Sequence, residues 1–210
     1  VNDVAIGSNA LAVNTTGSNI VAIGDNALAA NIGGGTYVAV GADAAHYNIS
    51  GYTSVAIGVS ANHANTAGIQ NTVIGHQAAY AAQASNMTAI GYQAMYYTDT
   101  GGLSTAVGAL ALHSNIAGNN NTAVGASALL EATFANNNTA VGGSALRTNS
   151  GNDNTALGAN SLYSNDSGAF STALGARALY NNNASNNLAA GYNALFTNTD
   201  GEFNTALGVQ

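Results

Sequence analysis

Few residues in this sequence are equipped for chemistry, and most of those recur at a fixed interval. His46, His63, Tyr80, Tyr96 and His113 follow one another every 16 or 17 residues, and Arg147, Tyr163, Tyr180 and Phe196 continue the series beyond Leu130. Two imidazoles one interval apart could share a metal ion, but such a site needs further donors. No column of carboxylates runs beside His46 and His63 to complete a ligand set. The other chemistry open to the series is stacking, either ring on ring along a ladder or as an aromatic strip offered to sugar rings. His76 stands outside the series and reads as structural. Catalysis finds no constellation. Glycosidases need paired carboxylates about 5–10 Å apart, whereas Asp43, Asp99, Glu131, Asp153, Asp166, Asp200 and Glu202 are scattered along the chain. Asp200 and Glu202 share one turn, the pattern of a solvated corner. A Ser-His-Asp site needs a base oriented by a carboxylate, and nothing marks one. The Gly-Gly-x-Gly-x-Asp calcium repeat is absent. The expectation is of no enzyme, no cofactor and no metal.

The interval belongs to the whole chain. A glycine closing a short apolar run recurs as Gly7, Gly24, Gly41, Gly58, Gly75, Gly91, Gly108, Gly125, Gly142, Gly158, Gly175, Gly191 and Gly208. Spacings of 16 or 17 residues over 13 anchors predict a repeat architecture rather than an ordinary globular fold. The fold expected is all-β: a parallel β-solenoid (β-roll) of about 12–13 coils, with residues 1–210 forming one repetitive domain. At about 4.8 Å per coil it would be a rod roughly 55–60 Å long.

Columns numbered from the glycine give the coil its plan. Ile, Val or Leu fills most of position −1, and Ala fills −2 except at Val73. Position −3 is Val4, Val21, Val38 and Val55 in the early coils, then mostly Thr from Thr72 onward. This reads as a strand, apolar on both faces and without charge. One face must pack inside the coil and the other against something else. The expectation is that the bulkier columns, Thr included, point inward while Ala faces outward, where identical Ala faces of several copies can meet about a symmetry axis. A homotrimer is expected. After the glycine, polar residues at +2, Ala at +3 and Leu at +4 conflict with strict alternation, so that segment either bends or bulges, or a partner chain covers the Leu. Seventeen residues allow two short strands and two connections per coil. Asn recurs at +7, as in Asn14, Asn31, Asn48, Asn65 and Asn115, and suits a corner with left-handed backbone. A second glycine follows at +10, with Ser85, Ala135 and Ser185 in its place elsewhere.

Composition narrows the function classes. Charged residues are 5% of the chain, the formal net charge is −7, and Arg147 and Arg177 are the only fixed cations. A nucleic-acid partner would require a basic surface, so none is expected. No apolar run reaches the roughly 18 residues of a membrane-spanning helix, and no membrane insertion is expected. Cys and Pro are absent. The former leaves stability to hydrogen-bonded ladders and packing, and the latter fits a chain that uses every amide in a ladder. Because the repeat runs from Val1 to Gln210 and stops mid-coil, the chain is expected to be a segment of a longer array.

Ser54 with Val55-Ala56-Ile57-Gly58 and Ser60-Ala61 resembles the head repeats of trimeric autotransporter adhesins. Asn121-Thr122-Ala123-Val124-Gly125-Ala126-Ser127-Ala128-Leu129 and Thr88-Ala89-Ile90-Gly91-Tyr92-Gln93-Ala94 resemble the repeats of bacteriophage tail fibres. The resemblance covers essentially the whole chain. It implies a left-handed, trimeric β-roll with a host-attachment role, in the virion or on a cell surface. Its partners would be two further copies, other fibre or adhesin segments, and a host-surface glycan. The coil is longer than the adhesin-head coil, so those loops do not map across. The Asn-Thr-Ala-Val-Gly flavour favours the tail fibre, with the bacterial adhesin head as alternative and an ice-binding solenoid as a second alternative. Receptor-contact candidates are the large residues that interrupt the polar return of each coil: Tyr47, Tyr52, Tyr97, Phe134, Phe170 and Phe203.

Overall fold

The computed structural model describes residues 2–209. One parallel sheet of 13 strands runs the length of the molecule. Its strands are Val4–Ile6, Ile20–Ile23, Tyr37–Val40, Ser54–Ile57, Thr72–Ile74, Thr88–Ile90, Thr105–Val107, Thr122–Val124, Thr139–Val141, Thr155–Leu157, Thr172–Leu174, Leu188–Ala190 and Thr205–Leu207. Each pairs in parallel with the equivalent strand of the next coil and keeps like residues in register, as in Val21↔Val38, Ala22↔Ala39 and Ile23↔Val40. The expected all-β parallel solenoid is the observed fold.

The closing glycine is dictated by its backbone. Gly58 has φ +134°, a region closed to side chains, and a Cβ there would sit 2.5 Å from the carbonyl oxygen of Gly75 in the coil above. The glycines therefore stack directly on one another, and the sharp bend after each strand is repeated without offset.

Beyond the glycine the segment bends. Positions +2 and +4 are both left-handed, as in Asn26 (φ 53°) with Leu28 (φ 50°) and Ser127 (φ 56°) with Leu129 (φ 49°). Two left-handed residues flanking Ala let consecutive side chains turn the same way, so Ala27 and Leu28, and Ala128 and Leu129, are all fully buried. A left-handed Leu costs about 1–2 kcal/mol, while burying its side chain gains about 1.5–3 kcal/mol. Burial wins, and no partner chain is needed to cover the Leu column. Where two strands per coil were expected, most coils have one, and the bend is common to all of them. Among the described residues a second, four-stranded sheet forms only at Thr148–Asn149, Ser164–Asn165, Asn181–Asn182 and Thr197–Asn198.

The orientation of the first strand is the reverse of that expected. Ala22, Ala39, Ala56, Ala89, Ala106, Ala123, Ala140, Ala156 and Ala173 are at 0% exposure and form the coil interior. The flanking Val or Thr and Ile, Val or Leu columns look outward, with Ile57, Ile74, Val124, Leu157 and Leu174 exposed. The cause is coil thickness: 17 residues leave a narrow interior in which the opposing wall already contributes Leu, so only a methyl fits opposite it. The Thr column consequently lies on the outer face, half-buried between neighbours or exposed, as at Thr72.

Two corner assignments also change. Asn at +7 is not left-handed; it points inward and is buried, and its amide closes the turn it precedes. Asn48 Nδ2 donates to Gly51 O at 3.1 Å and to Asn31 Oδ1 of the preceding coil at 3.0 Å. The left-handed corner lies instead at −5, as in Asn19, Asn120 and Asn137. The small-residue corner keeps register with the following glycine rather than the preceding one. Gly34, Gly51, Ala84, Gly101, Ala135, Gly151, Gly168 and Ala184 all lie seven residues before the next closing glycine and are all buried. Ser85 and Ser185 therefore do not occupy that position. The 16-residue coils lack one residue between the inward +7 position and this corner, as in Asn149-Ser150-Gly151 against Asn31-Ile32-Gly33-Gly34.

Candidate functional site

The ring series at +5 follows directly from the left-handed +4 residue, which sends the next side chain back to the surface. One half-buried ring per coil then stacks on the ring above. The centroid distances are 5.5 Å for His46–His63, 4.7 Å for His63–Tyr80, 5.1 Å for Tyr80–Tyr96 and 5.3 Å for Tyr96–His113. The run is interrupted at Leu130. It resumes with the Arg147 guanidinium 5.7 Å from the Tyr163 ring, then Tyr163–Tyr180 and Tyr180–Phe196, each at 4.9 Å. The planes of Tyr80 lie within 14° of those of its neighbours His63 and Tyr96. Ring faces are thus occupied by other rings, and mainly edges remain for solvent. Sugar stacking needs an open face, so the series serves the scaffold. His76 is not alone: it stacks on Tyr92 at 5.7 Å, with planes 4° apart. Their shared position, one residue after successive closing glycines, was the available signal.

The six receptor-contact candidates are all exposed, from 50% at Tyr47 and Tyr97 to 77% at Phe203. They do not converge. Tyr47 and Tyr97 share position +6, three coils apart, and each packs edge-on against the ring series, Tyr47 at 4.4 Å from His46 and Tyr97 at 4.5 Å from Tyr96. Phe170 and Phe203 share the left-handed corner at −5, two coils apart, with φ of 55° and 57°. Tyr52 and Phe134 occupy two other positions of the return.

One group of side chains does converge. Asp43, His46 and His63 each bring a potential ligand atom within 4.8 Å of the others. The sequence offers no carboxylate in a column of its own. The structure supplies one instead from +2 of the same coil, because the left-handed turn between Asp43 and His46 brings positions three apart together. Asp43 Oδ1 lies 3.4 Å from His46 Nδ1 and accepts a hydrogen bond from Asn26 Nδ2 of the preceding coil at 3.2 Å. His46 Nδ1 is itself buried and has no hydrogen-bond partner. Burial, reinforced by the neighbouring His46, lowers the pKa of His63 against the opposing pull of Asp43. His113 is lowered by burial alone.

On the outer face of the 13-stranded sheet the aliphatic −1 column runs beside the Val/Thr column without a charged side chain. No protein-family model, curated protein or solved structure matches the chain.

Proposed function

We propose that this chain is a non-enzymatic structural and attachment module, a rigid segment of a virion tail fibre that assembles as a homotrimer and presents its loops to a host-surface receptor such as a glycan. The observation that carries this reading is the outer sheet face. Ile57, Ile74, Val124, Leu157 and Leu174 stand exposed in one straight column. A continuous aliphatic stripe of that length is disfavoured in water and marks a contact surface. Three copies about an axis parallel to the coils would cover it, and the in-register columns would give each copy the same partner at every level. The trimer thus rests on the aliphatic and Thr columns, not on Ala.

Light scattering on the purified chain tests the assembly, with a mass near three times 20.6 kDa expected. A stable monomer would sink it. Attachment is tested separately with fluorescently labelled chain on glycan arrays and on bacterial cells; absence of binding by a proven trimer would leave a pure shaft. Placement on a bacterial cell surface as an adhesin head is the alternative, separated by the segments that flank this one in the full protein. An ice-binding role gains one specific observation, since Thr88, Thr105, Thr122, Thr139, Thr155 and Thr172 lie on the outer face and not inside. Thermal hysteresis of the purified chain would favour it over assembly.

A further inference from the structure

We propose that Asp43, His46 and His63 form a binding site for a divalent transition-metal ion of the zinc, nickel or copper class, linking the third and fourth coils. Two imidazoles and a carboxylate are the donor set that borderline ions prefer over calcium or magnesium. The three ligand atoms already lie within 4.8 Å of one another. Metal–ligand distances of about 2.0–2.2 Å place donors roughly 3–3.5 Å apart, so side-chain rotation closes the remaining gap while the coils stay fixed.

Three features separate this group from an incidental cluster. The buried His46 Nδ1 makes no hydrogen bond, its 3.4 Å contact with Asp43 Oδ1 falling short of one, so the atom has room for a further partner. Asn26 Nδ2 holds the Asp43 carboxylate from the coil below, the kind of outer support that orients metal ligands. The Tyr47 ring meets His46 at 4.4 Å and His63 at 5.0 Å, edge-on to both, and walls one side. The three ligands are only partly buried, which leaves the remaining coordination positions to water. Among the described residues this is the one group of three such donors. His76 and His113 stack on Tyr92 and Tyr96 in the same ladder style, but neither has a carboxylate partner there.

Titration calorimetry of the whole chain with zinc chloride in a non-chelating buffer tests the site. One ion per chain is expected, with calcium chloride giving no saturable heat. Asp43→Asn and His63→Ala should each weaken zinc binding by about tenfold or more, while His113→Ala leaves it unchanged. Zinc-induced shifts of the His46 and His63 ring resonances, with His76 and His113 unmoved, give a readout in the unaltered chain that does not depend on any variant folding. No saturable zinc binding, binding that survives both ligand substitutions, or shifts centred on His76 or His113 would overturn the proposal.

Discussion

Coils two to four and coils eight to twelve run the same backbone around different interiors. Four residues before the closing glycine, the early coils place Ile20, Tyr37 and Ser54, and their strands are four residues long. The later coils place Asn121, Asn138, Asn154, Ser171 and Asn187 there, and their strands shorten to three. In the later coils a side-chain oxygen of the coil before accepts from the amide at this position, as Asp3 Oδ1 does for Ile20 N in the second coil. Asn138 N donates to Asn121 Oδ1, Asn154 N to Asn138 Oδ1 and Ser171 N to Asn154 Oδ1, each at 2.9 Å. The same carboxamides reach forward as donors, Asn121 to Ala135 O at 2.7 Å and Asn154 to Gly168 O at 2.8 Å. At this position one end of the rod thus carries Ile20, Tyr37 and Ser54 as filler, while the other carries a ladder whose rungs join each coil to the next at two points. Filler tolerates changes of shape, whereas a ladder is satisfied only when every rung is present.

The strongest test asks what the two regions share. Gly58→Ala and Gly158→Ala should each cost about 3 kcal/mol or more in denaturant unfolding, from the positive φ and the carbonyl of the coil above. A mild effect in either region would mean that the bend is not common to both. Next, Asn154→Ala should cost about 2 kcal/mol, since it leaves Ser171 N buried and unpaired and removes one of the two donors to Gly168 O, the other being Asn165 Nδ2. Ile20→Val should cost only about 1 kcal/mol. Equal losses would erase the distinction between ladder and filler.

Tyr37 sharpens the contrast from the apolar side. Its hydroxyl accepts from Asn62 Nδ2 at 2.7 Å, and burial pushes its pKa up to about 12. A raised folded-state value means stabilisation that is complete below pH about 10 and is lost as pH rises toward about 12. Tyr37→Phe should cost about 1–2 kcal/mol at neutral pH and flatten that part of the alkaline unfolding profile. The smallest effect expected is a gain. Asn115 Oδ1 is buried without a partner, and the equivalent residue of the next coil is Ala132. Ala132→Asn should join Asn115, which stands alone between Thr98 and Ala132, to the run starting at Asn149 and add about 1 kcal/mol in the same unfolding assay.

The period, the closing glycine and the parallel stacking were legible because each recurs in every coil. The facing of the strand was not, since both faces are apolar and alternation alone does not say which is inside. The size of alanine held the answer: only the smallest column fits a coil whose other wall carries Leu28, Leu112 and Leu129. Counting only forward from each glycine put Ser85 and Ser185 in the small-residue corner that Ala84 and Ala184 fill. Reading columns singly hid the approach of Asp43 to His46, which depends on a left-handed turn within one coil. The six exposed aromatics were recognisable as interruptions of the polar return, but their separation over different corners depends on coil geometry that composition does not carry.

The corner that holds two residues in Asn31-Ile32-Gly33-Gly34 and one in Asn149-Ser150-Gly151 has a consequence for how such a chain can vary. Single codons can be lost or gained there while every inward column stays in place, so length drift is confined to one edge of the rod. Recombination between equivalent coils would likewise change the rod by whole rungs and leave each new junction looking like an old one.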